Sequence, residues 1–434
     1  MNIREQAVNT LLKINREGAY SNLEVRQVLS RNLFSEEDKR LFLNLVYGTW
    51  QNQIFLDDRL NRLIKNAQKP EPIVREICRI SLYQILFLDR VPDYAIVNEA
   101  VTLCKRQCRR ASGFVNGVLR SALRQKAALQ QVDTADFDNE KEAMAVRYSI
   151  PVPIIYQYFT VFGKEKAPEI LKKMNETPPF FIRINTLKTD RESLAVALKQ
   201  QGVPTRKGSL SQDALQLVSV NAFHGQIQRS SLYRQGAFTI QDQGAMLIAD
   251  WLDPQPGEQV LDMCAAPGGK TTHLAQLMKN QGRIIARDIY DSRLKLIEQT
   301  ADRMGVTIIE TEKRDGTEAI PDEHNRYDKI LLDVPCSGTG IIRRKPELRV
   351  MRDKKERRKL RDSQRQMLHC GLKALKSGGT LVYSTCTVDP DENERLVATV
   401  CQNYPEVSSV RSQYTHPLMD GCDCFFMCQI KKKD

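Results

Sequence analysis

The sequence has few of the residues that build metal centres or disulfide scaffolds. Five histidines are spread over 434 residues, and no two CxxC pairs accompany them. A zinc site is therefore not expected, since His416 with Cys422, Cys424 and Cys428 matches no standard zinc spacing. The eleven cysteines are odd in number and scattered, which indicates reduced thiols and not a disulfide framework.

Long apolar runs are missing as well. No stretch reaches the length of a membrane span, and residues 1–19 carry charges throughout, without the apolar core of a signal peptide. We therefore expect a cytoplasmic protein that does not enter a membrane. Lys and Arg outnumber Asp and Glu by 65 to 53. This excess fits a polyanionic partner, with non-specific attraction as the alternative.

Three regions of the chain differ in pattern. In residues 1–140 apolar residues recur four apart, as in Ile3, Ala7 and Leu11, which predicts an all-helical domain. Residues 141–235 are punctuated by prolines around one clear strand, 180–185, and one helix, 193–200, which predicts a small α+β linker domain. Residues 236–434 alternate strands and helices, which predicts a Rossmann-like α/β fold with a doubly wound sheet.

The strongest local signal is a turn of small residues between a strand and a helix. Residues 260–272 read VLDMCAAPGGKTT, with Gly268 and Gly269 in the turn and a helix beginning near Lys270. Backbone amides and the positive end of a helix would face a ligand there. The turn matches neither the phosphate-loop pattern GxxxxGK[ST] nor the dinucleotide pattern GxGxxG. A nucleoside cofactor without obligatory phosphates fits this turn better.

Two aspartates support the nucleoside interpretation. Asp288 ends the next predicted strand, where a carboxylate can accept both ribose hydroxyls of an adenosine. Asp315 follows the third strand and can meet the adenine amino group. Either residue alone could be a simple loop cap, but together they favour a nucleoside pocket.

Two cysteines follow two further strands that should be neighbours in the sheet. Residues 333–340 read DVPCSGTG and residues 383–388 read YSTCTV. Asp333, Cys336 and Cys386 should therefore meet at the carboxyl ends of these strands, where ligands of such sheets bind. The alternative is that both cysteines are buried apolar residues. Their positions at strand ends, in turns rich in Gly, Ser and Thr, argue against that alternative.

A thiol pair with a carboxylate suits methylation of a cytosine at C5. A thiolate that adds to C6 makes C5 nucleophilic towards a methyl sulfonium, and a hydrogen bond or proton at N3 assists that addition. A base then removes the C5 proton, and the thiol leaves. Asp333 fits the contact to N3, and either cysteine could supply the thiolate.

Two basic clusters could contact RNA phosphates. They comprise Lys105, Arg106, Arg109 and Arg110 in the helical region, and Arg343, Arg344 and Lys345 directly after the Pro-Cys turn. Phosphate contacts of this kind hold a nucleic-acid strand in place without reading its sequence. For each cluster the alternative is a charged, solvent-facing helix.

These motifs together resemble the RNA cytosine-5 methyltransferases of the NOL/NOP/Sun type. The resemblance covers residues 180 to 426 and rests on RINT at 183–186, QDQGA at 241–245, the cofactor turn, DxPCSGTG and STCT. The helical N-terminal region resembles the NusB-like RNA-binding module of antitermination factors. One departure is Asp423-Cys424-Phe425-Phe426, which has Cys where the family usually has Gly.

The resemblance implies a class I methyltransferase fold, S-adenosylmethionine as the cofactor and the 16S RNA of the small ribosomal subunit as the substrate. We expect the protein to act as a monomer. It implies Cys386 as the nucleophile and Cys336 as the thiol that helps to release the product, or as the base. The cofactor site that it implies consists of Cys264, Ala265, Ala266, Pro267, Gly268, Gly269, Lys270, Asp288, Asp315 and Asp333.

Two other functions are compatible with parts of the sequence. One is an RNA-binding assembly or antitermination protein that has the fold but no activity, against which the intact thiol pair argues. The other is a DNA cytosine methyltransferase, in which the Pro-Cys thiol would be the nucleophile.

Overall fold

The computed structural model describes residues 2–17, 21–31, 34–64, 70–219, 227–318, 323–350 and 353–434. The chain forms two compact units. One unit consists of Met1–Tyr156 with Lys345–Met351, and the other consists of Gln157–Arg344 with Arg352–Asp434. In the described ranges, no helix combines the length and the hydropathy that a membrane span requires.

The described residues of the first unit form a helical bundle around one central helix. The helices are α1 (Ile3–Glu17), α2 (Ser21–Arg31), α3 (Glu36–Gln51), α4 (Gln53–Leu63), α5 (Pro72–Phe87), α6 (Asp93–Gln107), α7 (Ser112–Arg124), α8 (Lys126–Gln130) and α9 (Glu140–Tyr148). Helix α5 is buried on nearly all sides and contacts α1, α3, α4, α6 and α7, as expected of a core helix. The predicted face of α1 is confirmed, because Ala7 and Leu11 are fully buried.

The first sheet of the second unit is small and antiparallel. After α10 (Val152–Lys173) come β1 (Phe180–Ile184), α11 (Arg191–Gln200), β2 (Thr205–Lys207), β3 (Ala214–Leu217), α12 (Ser231–Arg234) and β4 (Phe238–Ile240). The strand order is β2-β3-β1-β4, and each pair is antiparallel. The small α+β domain predicted from the sequence is therefore confirmed.

A seven-stranded sheet forms the rest of the second unit. Its elements are α13 (Gln243–Leu252), β5 (Gln259–Asp262), α14 (Gly269–Leu277), β6 (Arg283–Asp288), α15 (Asp291–Met304), β7 (Ile309–Lys313), β8 (Tyr327–Asp333), α16 (Lys354–Ala374), β9 (Leu375–Thr385), α17 (Glu394–Cys401), β10 (Val407–Tyr414) and β11 (Phe426–Lys432). The strand order is β10-β11-β9-β8-β5-β6-β7.

The strand order reverses at β5, which confirms the predicted doubly wound sheet. Strands β5, β6, β7, β8 and β9 are parallel, so the crevice between β5 and β8 is the switch point where such sheets bind ligands. The last two strands, which the sequence did not predict, depart from the parallel arrangement, since β11 is antiparallel to both β9 and β10. Strand β10 is exposed along most of its length, so it lacks the apolar alternation that reveals a strand in a sequence.

Both faces of the central strands are covered. Ile330 and Leu332 of β8 pack into one apolar cluster, while Leu331 packs into the cluster on the opposite face. Strands buried on both faces read as continuous apolar runs, as the Ile-Leu-Leu sequence of β8 does. The site at the end of β8 is therefore carried by the rigid centre of the sheet.

Replacing Leu331 tests how much this core contributes. Leu331 is fully buried, so Leu331→Ala should lower the free energy of unfolding by about 2–5 kcal/mol, because it removes buried methyl groups and leaves a cavity. Urea denaturation followed by fluorescence measures the change. Leu296→Ala on α15, where the side chain is 45% exposed, is the control and should cost less than about 1 kcal/mol. Equal losses in both variants would contradict the proposed core.

Candidate active site

The sequence motifs converge at the carboxyl ends of four adjacent strands. Strand β5 lies between β6 and β8, and β9 follows β8. In register, Asp262 of β5 pairs with Leu331 and Asp333 of β8 pairs with Ser384 of β9. The turns after these strands therefore share one edge of the sheet.

The cofactor turn is fixed to the neighbouring strand. The Ala265 amide donates to the Arg287 carbonyl of β6 at 2.8 Å. Gly268 has φ +95°, and a Cβ there would lie 3.1 Å from the Ile297 Cα, so a larger residue would be strained in conformation and crowded. Helix α14 begins at Gly269. The turn thus presents backbone groups and a helix N-terminus to the same space.

The two thiols lie in contact. The Cys336 and Cys386 sulfur atoms are 3.2 Å apart, and either thiol can donate. The Cys386 amide also donates to the Cys336 sulfur at 3.3 Å. Both residues are partly exposed. The hydrogen bond with Cys386, together with burial, raises the pKa of the Cys336 thiol well above its ordinary value.

A lysine and an aspartate complete the polar centre. The Lys270 Nζ is 2.6 Å from Asp333 Oδ2, and the Ser384 hydroxyl donates to Asp333 Oδ1 at 2.7 Å. Burial lowers the pKa of Lys270, but the charge and the hydrogen bond of Asp333, together with the charges of Cys386 and Asp262, outweigh burial, so the net pKa is raised. The Lys270 ammonium therefore forms an ion pair with Asp333 and interacts electrostatically with Cys386.

Three family models match successive parts of the chain. They are the NusB family at residues 1–124, the RsmF/B-like ferredoxin-like domain at 154–224, and 16S rRNA methyltransferase RsmB/F at 249–427. The probable ribosomal RNA small subunit methyltransferase B of Bacillus subtilis strain 168 is 36% identical over 99% of both chains. The chain belongs to the RsmB/F family of 16S rRNA methyltransferases. This confirms the resemblance inferred from the motifs.

Two solved structures support the fold and the cofactor. A methyltransferase homolog protein from Pyrococcus horikoshii is 28% identical, with a TM-score of 0.60 over 68% of this chain and 100% of its own. NSun6 from the same organism, solved with SFG, is 26% identical, with a TM-score of 0.57 over 65% of this chain and 98% of its own. SFG is an S-adenosylmethionine analogue. S-adenosylmethionine is the cofactor of this RsmB/F methyltransferase, as the sequence predicted.

The donor set of the RsmB/F site fits that cofactor. S-adenosylmethionine presents a cationic sulfonium, an amino group and hydroxyl donors, and the strand ends present carboxylates. Asp288 is 7% exposed and uses Oδ1 to cap the Tyr290 amide. Asp315 is exposed and uses Oδ1 to cap Thr317. Each aspartate thus caps a loop through Oδ1, while the second oxygen of Asp288 lies 3.7 Å from the exposed Arg293 guanidinium.

Asp262 is a further candidate, which the sequence interpretation missed. It is 1% exposed, and its Oδ2 accepts from the Thr271 hydroxyl at 2.7 Å. The buried Oδ1 has no hydrogen-bond partner in the described part of the chain, and burial raises the pKa of Asp262 to about 7. A buried oxygen without a donor is costly unless a ligand or water supplies one. The available signal was an acidic residue closing an apolar strand.

The cofactor turn also contains a thiol. Cys264 is partly exposed, and burial raises the pKa of its thiol well above the ordinary value. A neutral thiol is a poor nucleophile. This setting agrees with the expectation that Cys264 belongs to the cofactor site and not to the reacting thiol pair.

Arg183 braces the cofactor helix from the small sheet. The guanidinium is fully buried and donates to the Gly269 carbonyl at 2.5 Å and to the Thr272 hydroxyl at 3.0 Å. Burial lowers its pKa to about 9. The RINT motif thus positions the first turn of α14, a role that the motif alone did not reveal.

Two of the predicted RNA-contacting residues have internal partners. Arg343 is 8% exposed and donates to Asp423 Oδ1 at 2.6 Å. Arg344 binds both Asp423 and Asp242. Asp423 is itself buried, and a buried carboxylate needs a cation beside it. Arg343 and Arg344 therefore have structural partners; their phosphate contacts stay a prediction, and Arg344 is still exposed.

The remaining predicted RNA-contacting residues are exposed in the first unit. These residues are Lys105, Arg106, Arg109, Arg110 and Lys345. Arg110 pairs with Glu71, and Arg106 lies 4.0 Å from Glu5. Exposed pairs of this kind are weak, so these cations can still exchange their partners for phosphates.

The pH dependence of cofactor binding should report on Asp262. Affinity for S-adenosylmethionine is expected to rise as the pH rises through about 7, because Asp262 then ionises and attracts the cationic cofactor. If binding lowers the Asp262 pKa by about one unit, the gain is about tenfold. Titration calorimetry across this range measures it. In Asp262→Asn the cofactor's own titration is retained, and the part of the pH dependence of affinity that comes from Asp262 should disappear. Parallel affinity–pH profiles in the native and variant proteins would refute the contact between Asp262 and the cofactor.

Proposed function

We propose that the protein transfers the methyl group of S-adenosylmethionine to C5 of a specific cytidine in 16S ribosomal RNA through a covalent Cys386–C6 adduct. The observation that carries the proposal is the Cys336–Cys386 pair, with sulfurs 3.2 Å apart, beside the Lys270–Asp333 ion pair. Methylation of a ring nitrogen or a ribose oxygen needs no covalent nucleophile. C5 chemistry requires a thiol nucleophile at the substrate edge of the sheet, and this pair supplies one.

Cys386 is the better nucleophile of the two. The raised pKa of Cys336 keeps that thiol protonated, so that it can donate to a Cys386 thiolate. The Lys270 ammonium, whose pKa is raised by Asp333 and further by Cys386, attracts the same anion. A sulfur that has both a hydrogen-bond donor and a cation beside it is the better placed of the two to attack the base.

The reaction then follows from the positions of the groups. S-adenosylmethionine supplies an electrophilic methyl group on its sulfonium. The Cys386 sulfur bonds to C6, which makes C5 electron-rich, and C5 takes the methyl group. Loss of the C5 proton to a base restores the ring as the C6–S bond breaks. A Cys336 S–H that donates to the departing Cys386 sulfur would assist product release, and Cys336 is also a candidate for the base.

Asp333 is proposed to hold the cytosine edge by accepting from the N4 amino group and from the proton that N3 gains as the sulfur adds to C6. Its oxygens already accept from Lys270 and Ser384, which fixes the carboxylate in one orientation. A carboxylate has about four acceptor positions, so room remains for the cytosine amino group. We expect the ring to be oriented by Asp333 before Cys386 attacks, since a preoriented pair of reactants lowers the barrier.

The cofactor is proposed to occupy the turn at residues 264–270 and the adjoining strand ends. Asp288 would accept the ribose hydroxyls and Asp315 the adenine amino group. The unpartnered Oδ1 of Asp262 would accept from the cofactor's amino group. Lys270 and Asp333 then lie between the cofactor and the substrate base.

The exposed cations of the first unit are proposed to contact RNA phosphates. Lys105, Arg106, Arg109 and Arg110 lie close together in the chain and are exposed, and Lys345 is exposed as well. Contacts of this type would add affinity without sequence preference.

A mechanism-based trap identifies the attacking thiol. RNA that carries 5-fluorocytosine at the target cannot lose a proton from C5, so the adduct should persist through denaturing electrophoresis. We expect an adduct with the native protein and with Cys336→Ala, and none with Cys386→Ala. Cys401→Ala, a partly exposed cysteine at the end of α17, is the control and should form the adduct. Loss of the adduct in Cys336→Ala with retention in Cys386→Ala would reassign the nucleophile.

Mapping of the product tests the substrate. Bisulfite sequencing of 16S rRNA should show one cytosine that resists conversion in cells with the gene and converts in cells without it. Cells that express Cys386→Ala should match the deletion. No difference at any 16S cytosine, together with no methyl incorporation from labelled cofactor, would favour a protein that only binds RNA.

A further inference from the structure

A basic cleft lies between α16 and α17 in the second unit. Its charged lining consists of Arg358, Arg361, Asp362, Arg365, Asp391 and Arg395, and its volume is about 420 Å³. On α16 the three arginines are spaced three and four residues apart, which places them along one side of the helix. Arg395 comes from the first turn of α17. The cleft therefore gathers four guanidinium groups from two elements.

Two carboxylates hold these guanidinium groups in place without neutralising them. Asp391 accepts from Arg361 at 2.7 Å and from Arg395 at 2.8 Å, which ties the two helices together. Asp362 accepts from Arg365 at 2.9 Å. Each guanidinium has five N–H donors, and in the described part of the chain each of these three uses one on a carboxylate. The remaining donors are available to an anion.

The lining selects the chemistry of the ligand. Arginine forks match the oxygen pairs of a phosphate, and the other lining residues, Leu396 and Thr399, offer no aromatic surface on which a base could stack. Such a site binds a phosphodiester backbone and leaves the bases free. Backbone contacts of this kind fix the register of a strand without reading it.

The cleft is built on the elements that support the Pro-Cys turn. Gln364, which follows Arg361 by three residues on α16, donates to the Pro335 carbonyl and to Glu392, both at 2.8 Å. Glu392 follows Asp391 in the chain and accepts from the Ser337 amide at 3.0 Å. A strand held in the cleft would therefore be anchored next to the turn that carries Cys336.

We propose that this cleft is a phosphate-binding site that holds the backbone of the substrate RNA beside the catalytic thiols. The inference rests on the proposed function, since it assigns a binding site to the same RNA. It also places phosphate contacts on α16, whose arginines face the cleft, whereas Arg343 and Arg344 have internal carboxylate partners.

The test removes two exposed arginines and measures RNA binding by the full chain. Arg358 and Arg395 are 83% and 66% exposed, so Arg358→Gln with Arg395→Gln should leave the fold intact. With a 16S rRNA transcript, we expect Kd and the KM for RNA to rise about tenfold and kcat to stay unchanged. The slope of log Kd against log salt should fall by about 0.7–0.9 for each phosphate group that the variant no longer binds.

The matched control removes two charges from the opposite edge of the sheet. Arg283→Gln with Arg326→Gln acts at the amino ends of β6 and β8, where both arginines are exposed and paired with glutamates. This variant should keep the native Kd and salt slope. A third variant, Arg358→Lys with Arg395→Lys, should keep most of the salt slope because the charge is retained.

Three results separate the possible failures. An unchanged Kd and salt slope in the Arg358→Gln/Arg395→Gln protein would overturn the proposed phosphate site. An equal loss of RNA affinity in the control variant would overturn it as well, because it would show an effect of total charge and not of the cleft. Formation of 5-methylcytosine by the native protein is measured in the same reactions. Its absence would count against the proposed function, while the Kd values would still decide the cleft.

Discussion

The parallel pairing of β8 with β9 is the constraint on which the site depends. In that register Asp333 lies beside Ser384, so the two turns that follow bring the Cys336 and Cys386 sulfurs to 3.2 Å. A slip of one residue would turn every side chain of β9 to the opposite face. It would separate the thiols and also remove the Ser384 hydroxyl from Asp333. Because the apolar side chains of β8 pack into clusters on both faces, the core itself fixes the register.

Buried charge is concentrated at this edge of the sheet, and little of it serves stability. A partly buried ion pair such as Lys270–Asp333 adds little to stability, because the cost of removing the two charges from water offsets much of their attraction. Asp262 adds a carboxylate whose pKa burial raises to about 7, and one of its oxygens has no donor in the described part of the chain. Perturbed groups collected around a ligand turn are typical of a functional site. The electrostatics thus agree with the motifs about where the chemistry occurs.

Features that depend on neighbouring residues could be predicted from the sequence, whereas the roles of side chains with distant partners could not. The glycine turn, the carboxylates at strand ends and the meeting of two thiols follow from apolar runs and from the rule that parallel strands end at one edge. The structural role of Arg343 could not be predicted in this way, because its partner Asp423 lies eighty positions away in the chain. A run of basic residues looks the same in a sequence whether or not carboxylates pair with it in the fold. Strand β10 escaped prediction because its exposed residues carry no apolar period.

The ion pairs of Arg343 and Arg344 also reach the nucleophile. They fix Asp423, and the next residue, Cys424, donates its amide to the Gly340 carbonyl at 3.1 Å, while the Gly340 amide donates to the Cys386 carbonyl at 2.9 Å. A Cβ at position 340 would lie 2.1 Å from the Cys424 oxygen, so glycine is required there. Position 424 does not require glycine, because the positive-φ residues described in this turn are Asp420 and Gly421, and Cys424 is not one of them. The chain therefore accepts Cys424 without backbone strain, and Arg343 and Arg344 hold the backbone of Cys386 in place through Asp423.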